Sequence, residues 1–298
     1  MQHLRLKEGY KEWLQLLNYN KTTKQQYPNY IYSFLEYLES QGIKSLKDLT
    51  GEALAKYIES VKTKVNPVTK TLLKGSTING YIRNLKLFAR YLEETGQQSF
   101  TVTTQYEIKQ YTEKEILTTP EIQALYNATT EDTRGLRDRV ILTIYYGCGL
   151  RCNEGLTLHI NDVLLDKNLL YVRQGKQYKE RYVPFVASQK KDIEHYLFYG
   201  RPKLLKDKDS PYFLLNNQGR EMKYGFLSAA LKRMIKQTGN EALKNRSTGL
   251  HHLRHSIATH LMQGGMQIEN ISTFLGHGHL SSTQIYTHIV RQEHEANQ

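Results

Sequence analysis

Apolar positions recur at helical spacing through the first hundred residues. Trp13, Leu14, Leu16 and Leu17 predict a short helix over 9–17. Tyr27, Ile31, Phe34, Leu35 and Leu38 share one face of a second helix, which Gly42 ends. Ala53, Leu54, Tyr57, Ile58 and Val61 predict a third. A polar loop over 62–75 follows, and Ser76 is placed to cap a fourth helix with an apolar face of Ile78, Ile82, Leu85, Ala89 and Leu92. Four short amphipathic helices can bury their stripes only against one another, as a small bundle. Periodicity then stops. Residues 101–118 are polar and are expected to be a linker between a helical domain over 1–100 and a second domain over 119–298. Thr119-Pro120-Glu121 restarts ordered structure with a cap residue, a proline in the first turn and an acid near the positive helix end.

The pattern of the second domain is mixed. Leu136, Val140, Ile141, Ile144 and Tyr145 predict an apolar helix over 135–146, ended by Gly147-Cys148-Gly149. Two β-rich runs, 169–173 and 182–185, are joined by a polar segment and predict an antiparallel hairpin with Lys176 in its loop. Helices are expected over 188–199 and 224–236, with an extended piece over 211–215 between them. Leu250, Leu253, Ile257 and Leu261 stripe a further helix, and a short one over 267–274 stops at Gly276. The expected fold is mainly α with a small antiparallel β-sheet.

Charge narrows the function classes. The chain of 298 residues carries +12 net, with 15 Lys/Arg against 9 Asp/Glu in residues 1–100, so both parts are basic. That suits a protein holding a polyanion from two sides. Arg83, Lys86 and Arg90 form a basic stripe beside the apolar face of the fourth helix, where they are candidate DNA contacts; a solvated face is the competing explanation. Two cysteines, Cys148 and Cys152, make no disulfide framework and point to a reducing, cytoplasmic setting. No apolar run is long enough for a bilayer, and no signal-peptide core is visible.

The candidate chemistry lies in four separated places. Arg151 follows a glycine turn, and Glu154 is spaced to orient it on a helix. Lys176 sits in the hairpin loop, and Lys179 and Arg181 nearby are expected to touch phosphate or solvent. His251, Arg254 and His255 occupy one helix; His-x-x-Arg suits an anionic oxygen better than a metal, because arginine repels cations and forks onto phosphate. His277 and Tyr286 close the series. A tyrosine hydroxyl has a pKa of about 10 and is a poor nucleophile alone, so Tyr286, one tyrosine of 22, needs cations and donors from elsewhere in the chain.

Taken together, these pieces resemble the tyrosine recombinases, or phage-integrase family, and are most similar to its compact Xer-like bacterial members. The resemblance rests on Gly149-Leu150-Arg151-x-x-Glu154; Gly175-Lys176 with Lys179, Arg181 and Pro184; His251-x-Leu253-Arg254-His255 leading into Ala258-Thr259-His260; and Leu275-Gly276-His277 followed by Thr283-Gln284-Ile285-Tyr286-Thr287-His288. It implies a SAM-like core-binding bundle joined to a recombinase catalytic domain in a C-shaped DNA clamp. By the same resemblance, Arg151 and Arg254 bind the non-bridging oxygens of the scissile phosphate, and His251 and His277 add hydrogen bonds. Lys176 protonates the leaving 5′ oxygen, Glu154 supports the site, and Tyr286 forms a 3′-phosphotyrosine. It further implies a metal- and ATP-independent recombinase without cofactor. Such an enzyme works on double-stranded DNA sites through a Holliday junction, as a homotetramer on DNA and a monomer or weak oligomer off it, with or without an accessory or partner recombinase. The expected tasks are integration or excision of a mobile element, inversion or resolution, at the nucleoid. A type IB-like topoisomerase and a DNA-binding protein with a silent site are the rival readings. Asn153, Gly155 and His279 depart from the common family pattern, and His252 adjoins His251.

Overall fold

The computed structural model describes residues 2–107, 116–173, 180–206 and 209–276. The chain divides into two compact units, Met1–Thr112 and Glu113–Gln298. Lys176, Lys179, His277, His279 and Tyr286 lie outside the described residues.

The first unit is built on α1 (Gln2–Leu16), α2 (Lys21–Ser40), α3 (Gly51–Lys62) and α4 (Gly75–Glu94). Asn20 and Thr50 cap α2 and α3 through their side chains. The fourth helix begins one residue before Ser76, at Gly75, and its cap position, Lys74, makes no side-chain capping bond. The predicted faces pack together: Ile31, Phe34, Leu35, Leu54, Tyr57, Ile58, Ile82, Leu85 and Leu92 are all buried in one core. Inside it, the Tyr10 hydroxyl donates to Asn84 Oδ1 at 2.8 Å, so that both buried polar groups are paired.

The start of the expected linker is held on the first unit. Phe100 and Val102 pack on the bundle core, Ser99 Oγ donates to the Ala89 carbonyl at 2.7 Å, and Asn79 exchanges two hydrogen bonds with the Glu107 backbone. Polar side chains here serve to tie an extended segment to α4.

The second unit opens with α5 (Thr119–Asn127). Its cap is Thr118, one residue earlier than expected, and the cap pairs reciprocally with Glu121. Next come α6 (Thr133–Leu142), a π-turn over Thr143–Gly147 and the short α7 (Cys152–Leu156). A three-stranded antiparallel sheet follows: β1 (Val163–Leu164), β2 (Leu169–Val172) and β3 (Arg181–Pro184), with Leu170 opposite Val183 and Val172 opposite Arg181. Helices α8 (Ala187–His195), α9 (Arg201–Leu205), α10 (Tyr224–Gln237), α11 (Glu241–Asn245), α12 (Leu250–Gln263) and α13 (Ile268–Leu275) complete it. One core gathers Val140, Ile141, Ile144, Tyr145, Leu170, Val183, Phe213 and Leu253. Leu117 docks on α12 through its backbone N–H, which donates to Ser256 Oγ at 2.8 Å. Among the described residues no helix is long and apolar enough to cross a membrane.

Candidate active site

The glycine turn after the π-segment sets the site. Gly149 has φ +60°, a left-handed conformation that favours glycine. A Cβ there would meet Leu275 Cδ2 at 2.8 Å and Phe274 Cε1 at 3.0 Å. The turn therefore lies directly against the end of α13, and Arg151 emerges from it at the N-cap of α7. Glu154, in the first turn of α7, reaches back to accept the Arg151 backbone N–H at 2.8 Å and Arg151 Nη1 at 2.8 Å.

Gly155, a departure from the family pattern, is explained by its neighbour. A Cβ at Gly155 would come within 2.5 Å of Tyr145 Oη. The fully buried Tyr145 occupies that space and donates to the Cys152 carbonyl at 3.0 Å. Tyr145 thus braces the short α7 where a larger side chain on the helix would otherwise fill the core.

Two arginines remote in sequence meet at the end of α13. Arg151 Nη1 donates to the Leu275 carbonyl at 3.3 Å, and its Nη2 to the Gly276 carbonyl at 2.8 Å. Arg254, buried on α12, donates from Nη2 to the same Leu275 carbonyl at 2.6 Å and from Nη1 to the Gly149 carbonyl. The last carbonyls of a helix lack intrahelical partners and carry the negative end of its dipole, which is why guanidinium groups gather there. Gly276, at φ +64°, turns the chain in the left-handed conformation that ends α13.

Arg181, expected to touch phosphate or solvent, joins the same cluster. Its guanidinium forks onto Glu154, with Nη1 to Oε1 and Nη2 to Oε2 both at 3.0 Å, and its Nε donates to the Phe274 carbonyl at 3.0 Å. In sequence it stands beside other basic residues. In the fold, the inward-facing register of β3 turns it under the site.

These neighbours set the ionisation of Glu154. Burial pushes its carboxyl upward, but the Arg181 hydrogen bond and charge, followed by the Arg151 contacts, outweigh that and hold its pKa at about 2. Arg254 Nη1 lies 3.8 Å from the same carboxylate. Burial also pushes the Cys148 thiol up to about 12, so it is a packing group and not a thiolate nucleophile.

The two adjacent histidines of α12 separate by position. His252 Nδ1 accepts the Gly249 N–H at 2.9 Å, a capping contact that places the proton of the neutral ring on Nε2. His251 is exposed in the first turn, on the strip of α12 shared with Arg254. His255 is half-buried one turn on. Among the described residues no group of three or more His, Cys, Asp or Glu side chains is placed to hold a metal ion.

In the first unit, Arg83, Lys86 and Arg90 are all exposed on α4. Lys86 Nζ lies 4.7 Å from the Tyr106 ring centroid, and Arg90 pairs with Glu94 at 2.7 Å. With Tyr19, Tyr27 and Leu87 they line a shallow recess of about 310 Å³. Cations interleaved with aromatic rings can take phosphate and sugar or base surfaces alike.

Comparison with known proteins adds a family. The model of the phage integrase family matches residues 115–293. The tyrosine recombinase XerC of Oceanobacillus iheyensis is 30% identical over 287 residues, covering 94% of this chain and 90% of that protein. The tyrosine recombinase XerD of Halalkalibacterium halodurans is 28% identical over 278 residues, covering 91% and 88%. Two solved structures share the fold: the XerH site-specific recombinase bound to palindromic difH substrate in a post-cleavage complex, and the Tn1549 transposon integrase in complex with transposon right end DNA. The first has a TM-score of 0.74 at 22% identity and covers 93% of this chain and 79% of its own. The second has a TM-score of 0.73 at 16% identity and covers 98% of both.

Proposed function

Because the chain belongs to the phage integrase family, as a Xer-like tyrosine recombinase that cleaves and rejoins DNA strands, we propose that Tyr286 is its nucleophile and that Arg151, Lys176, His251, Arg254 and His277 complete the catalytic set. The observation that carries this reading is the convergence of Arg151 and Arg254 on one carbonyl oxygen, that of Leu275. Two guanidinium groups aimed at one point form a ready receptor for an anionic oxygen, and a phosphate oxygen is a better acceptor than a carbonyl.

The chemistry follows from that receptor. Arg151 and Arg254 take the non-bridging oxygens of the scissile phosphate, with His251 and His277 adding donors, and so stabilise charge as it builds on the five-coordinate phosphorus. The Tyr286 oxygen gives its proton to water and forms a bond to phosphorus on the 3′ side. The bond to the 5′ oxygen breaks, and Lys176 gives that oxygen a proton, a general-acid contribution of typically ~10²–10⁴-fold. A phosphotyrosine retains the energy of the broken ester, so a 5′ hydroxyl can reverse the step without ATP. Glu154 keeps Arg151 oriented, and His255 supports the same face of α12.

The substrate is a double-stranded recombination site, gripped by the catalytic unit together with Arg83, Lys86, Arg90 and Lys179. Two such sites exchange strands through a Holliday junction within a homotetramer, in the cytoplasm at the nucleoid. Integration or excision of a mobile element is the task we favour. The test is covalent trapping on a nicked duplex carrying the site, run on a denaturing gel. Wild type yields a protein–DNA adduct and Tyr286→Phe yields none; an adduct with Tyr286→Phe would exclude that nucleophile.

A further inference from the structure

Arg181 has no part in the chemistry just described, yet all three nitrogens of its guanidinium are engaged. Its side chain is 9% exposed. Each of its three nitrogens donates to a protein acceptor at 3.0 Å: two to the oxygens of Glu154, one to the Phe274 carbonyl. These acceptors belong to the two pieces that also hold Arg151, namely α7 through Glu154 and the end of α13 through Leu275 and Gly276. Arg254 is tied to the same end of α13 through Leu275.

Resting on the recombinase reading, we propose that Arg181 is a positioning residue for strand cleavage: it clamps Glu154 and the last turn of α13 together, and so aims Arg151 and Arg254 at the scissile phosphate. Helix α7 is a single five-residue turn, too short to fix the direction of Glu154 by its own hydrogen bonds. A carboxylate held by a planar fork has its plane set, and Glu154 then sets the plane of Arg151. The Nε contact to Phe274 extends this control to the chain leading into Gly276. Glycine at 276 belongs to the same fit, since a Cβ there would stand 2.7 Å from Arg181 Nη1. Lysine would not replace Arg181, because one ammonium cannot span both carboxylate oxygens and a carbonyl in a single plane. Misplacement of a catalytic group by about 1 Å costs on the order of 10²-fold in rate, which sets the size of the expected effect.

The test uses the full chain with the substitutions Arg181→Met and Arg181→Lys, and the double change Arg181→Met with Glu154→Gln. The double change removes the uncompensated carboxylate, so the comparison survives if Arg181→Met alone does not fold. DNA affinity, its salt dependence and the rate of adduct formation at saturating DNA are measured on nicked duplexes. One duplex has an ordinary scissile phosphate; the other is a methylphosphonate in which methyl replaces one non-bridging oxygen. The proposal predicts unchanged affinity and salt slope, and adduct formation slowed about a hundredfold by Met and not restored by Lys. It predicts that the loss shrinks to less than about tenfold on the methylphosphonate, where there is less charge for the arginines to meet. In the Glu154→Gln background, adding Arg181→Met costs less than about tenfold more, as coupled residues do.

A weaker affinity with a shallower salt slope would make Arg181 a DNA contact and overturn the proposal. Equal losses on both substrates would reduce it to a general structural role, and full rescue by lysine would reduce it to a point charge; either result overturns it. If wild type forms no adduct, the recombinase reading itself fails. If wild type forms adduct and the Arg181 variants match it, only this inference fails.

Discussion

Glu154 is kept ionised by its neighbours and not by water, which makes it a reporter of the site. Its folded pKa of about 2 lies below the ordinary carboxylate value. The unfolded chain therefore takes up the proton first as pH falls. The stabilisation is complete above the ordinary carboxylate range and is lost as pH drops from about 4.5 toward 2. Breaking a buried, hydrogen-bonded ion pair costs about 3–5 kcal/mol. Glu154→Gln is thus expected to lower stability by about 3 kcal/mol at neutral pH, and the gap to wild type should narrow in thermal melts between pH 4.5 and 3. A gap constant with pH would mean that the carboxylate's charge is not what stabilises the fold. At this scale the sequence is legible where partners are local. Glu154, three residues after Arg151, is visible as an orienting pair; the role of Arg181 is not, because its acceptors stand 27 and 93 positions away. Gly155 shows in the sequence only as a departure from the family pattern, whereas in the fold Tyr145 fills its space. His252 is indistinguishable from His251 by type; the His-x-x-Arg spacing selects His251, and the Gly249 hydrogen bond gives His252 a capping role.

The elements with a long apolar repeat are the legible ones. Helices α2, α3, α4, α10 and α12 follow from their spacing, because burying one stripe leaves few alternatives. The short elements do not. β1 is two residues long, α11 is five, and the switch to π geometry at Thr143–Gly147 and Tyr196–Gly200, within or at the end of helices that the sequence does predict, depends on packing against neighbours. The end of α13 matters most for the site, and spacing shows it only as a stop at Gly276; that its terminal carbonyls collect three arginines depends on tertiary structure. On α4, the exposed Arg83, Lys86 and Arg90 make a separable prediction. Changing all three to glutamine should weaken binding to any DNA sequence. It should also flatten the plot of log affinity against log salt by about 0.9 for each phosphate that is no longer neutralised. An unchanged slope would assign the stripe to solvent.

For the whole molecule, two basic units and a cluster of arginines describe a protein whose reactivity is assembled from distant segments. Composition conveys the polyanion partner, since positive charge is spread over both halves. The four motifs point to the reaction, because in the proposed mechanism each supplies a group that a phosphoryl transfer needs and none suffices alone. What charge and motif do not convey is base readout, which depends on side-chain reach into the grooves. In the proposed mechanism one particular tyrosine takes up the DNA strand. The most direct measurement is peptide mapping by mass spectrometry of the trapped, nuclease-trimmed adduct. A nucleotide remnant joined through its 3′ phosphate to the peptide carrying Tyr286 is expected; a remnant on any other residue, or one joined through a 5′ phosphate, would overturn the proposed mechanism.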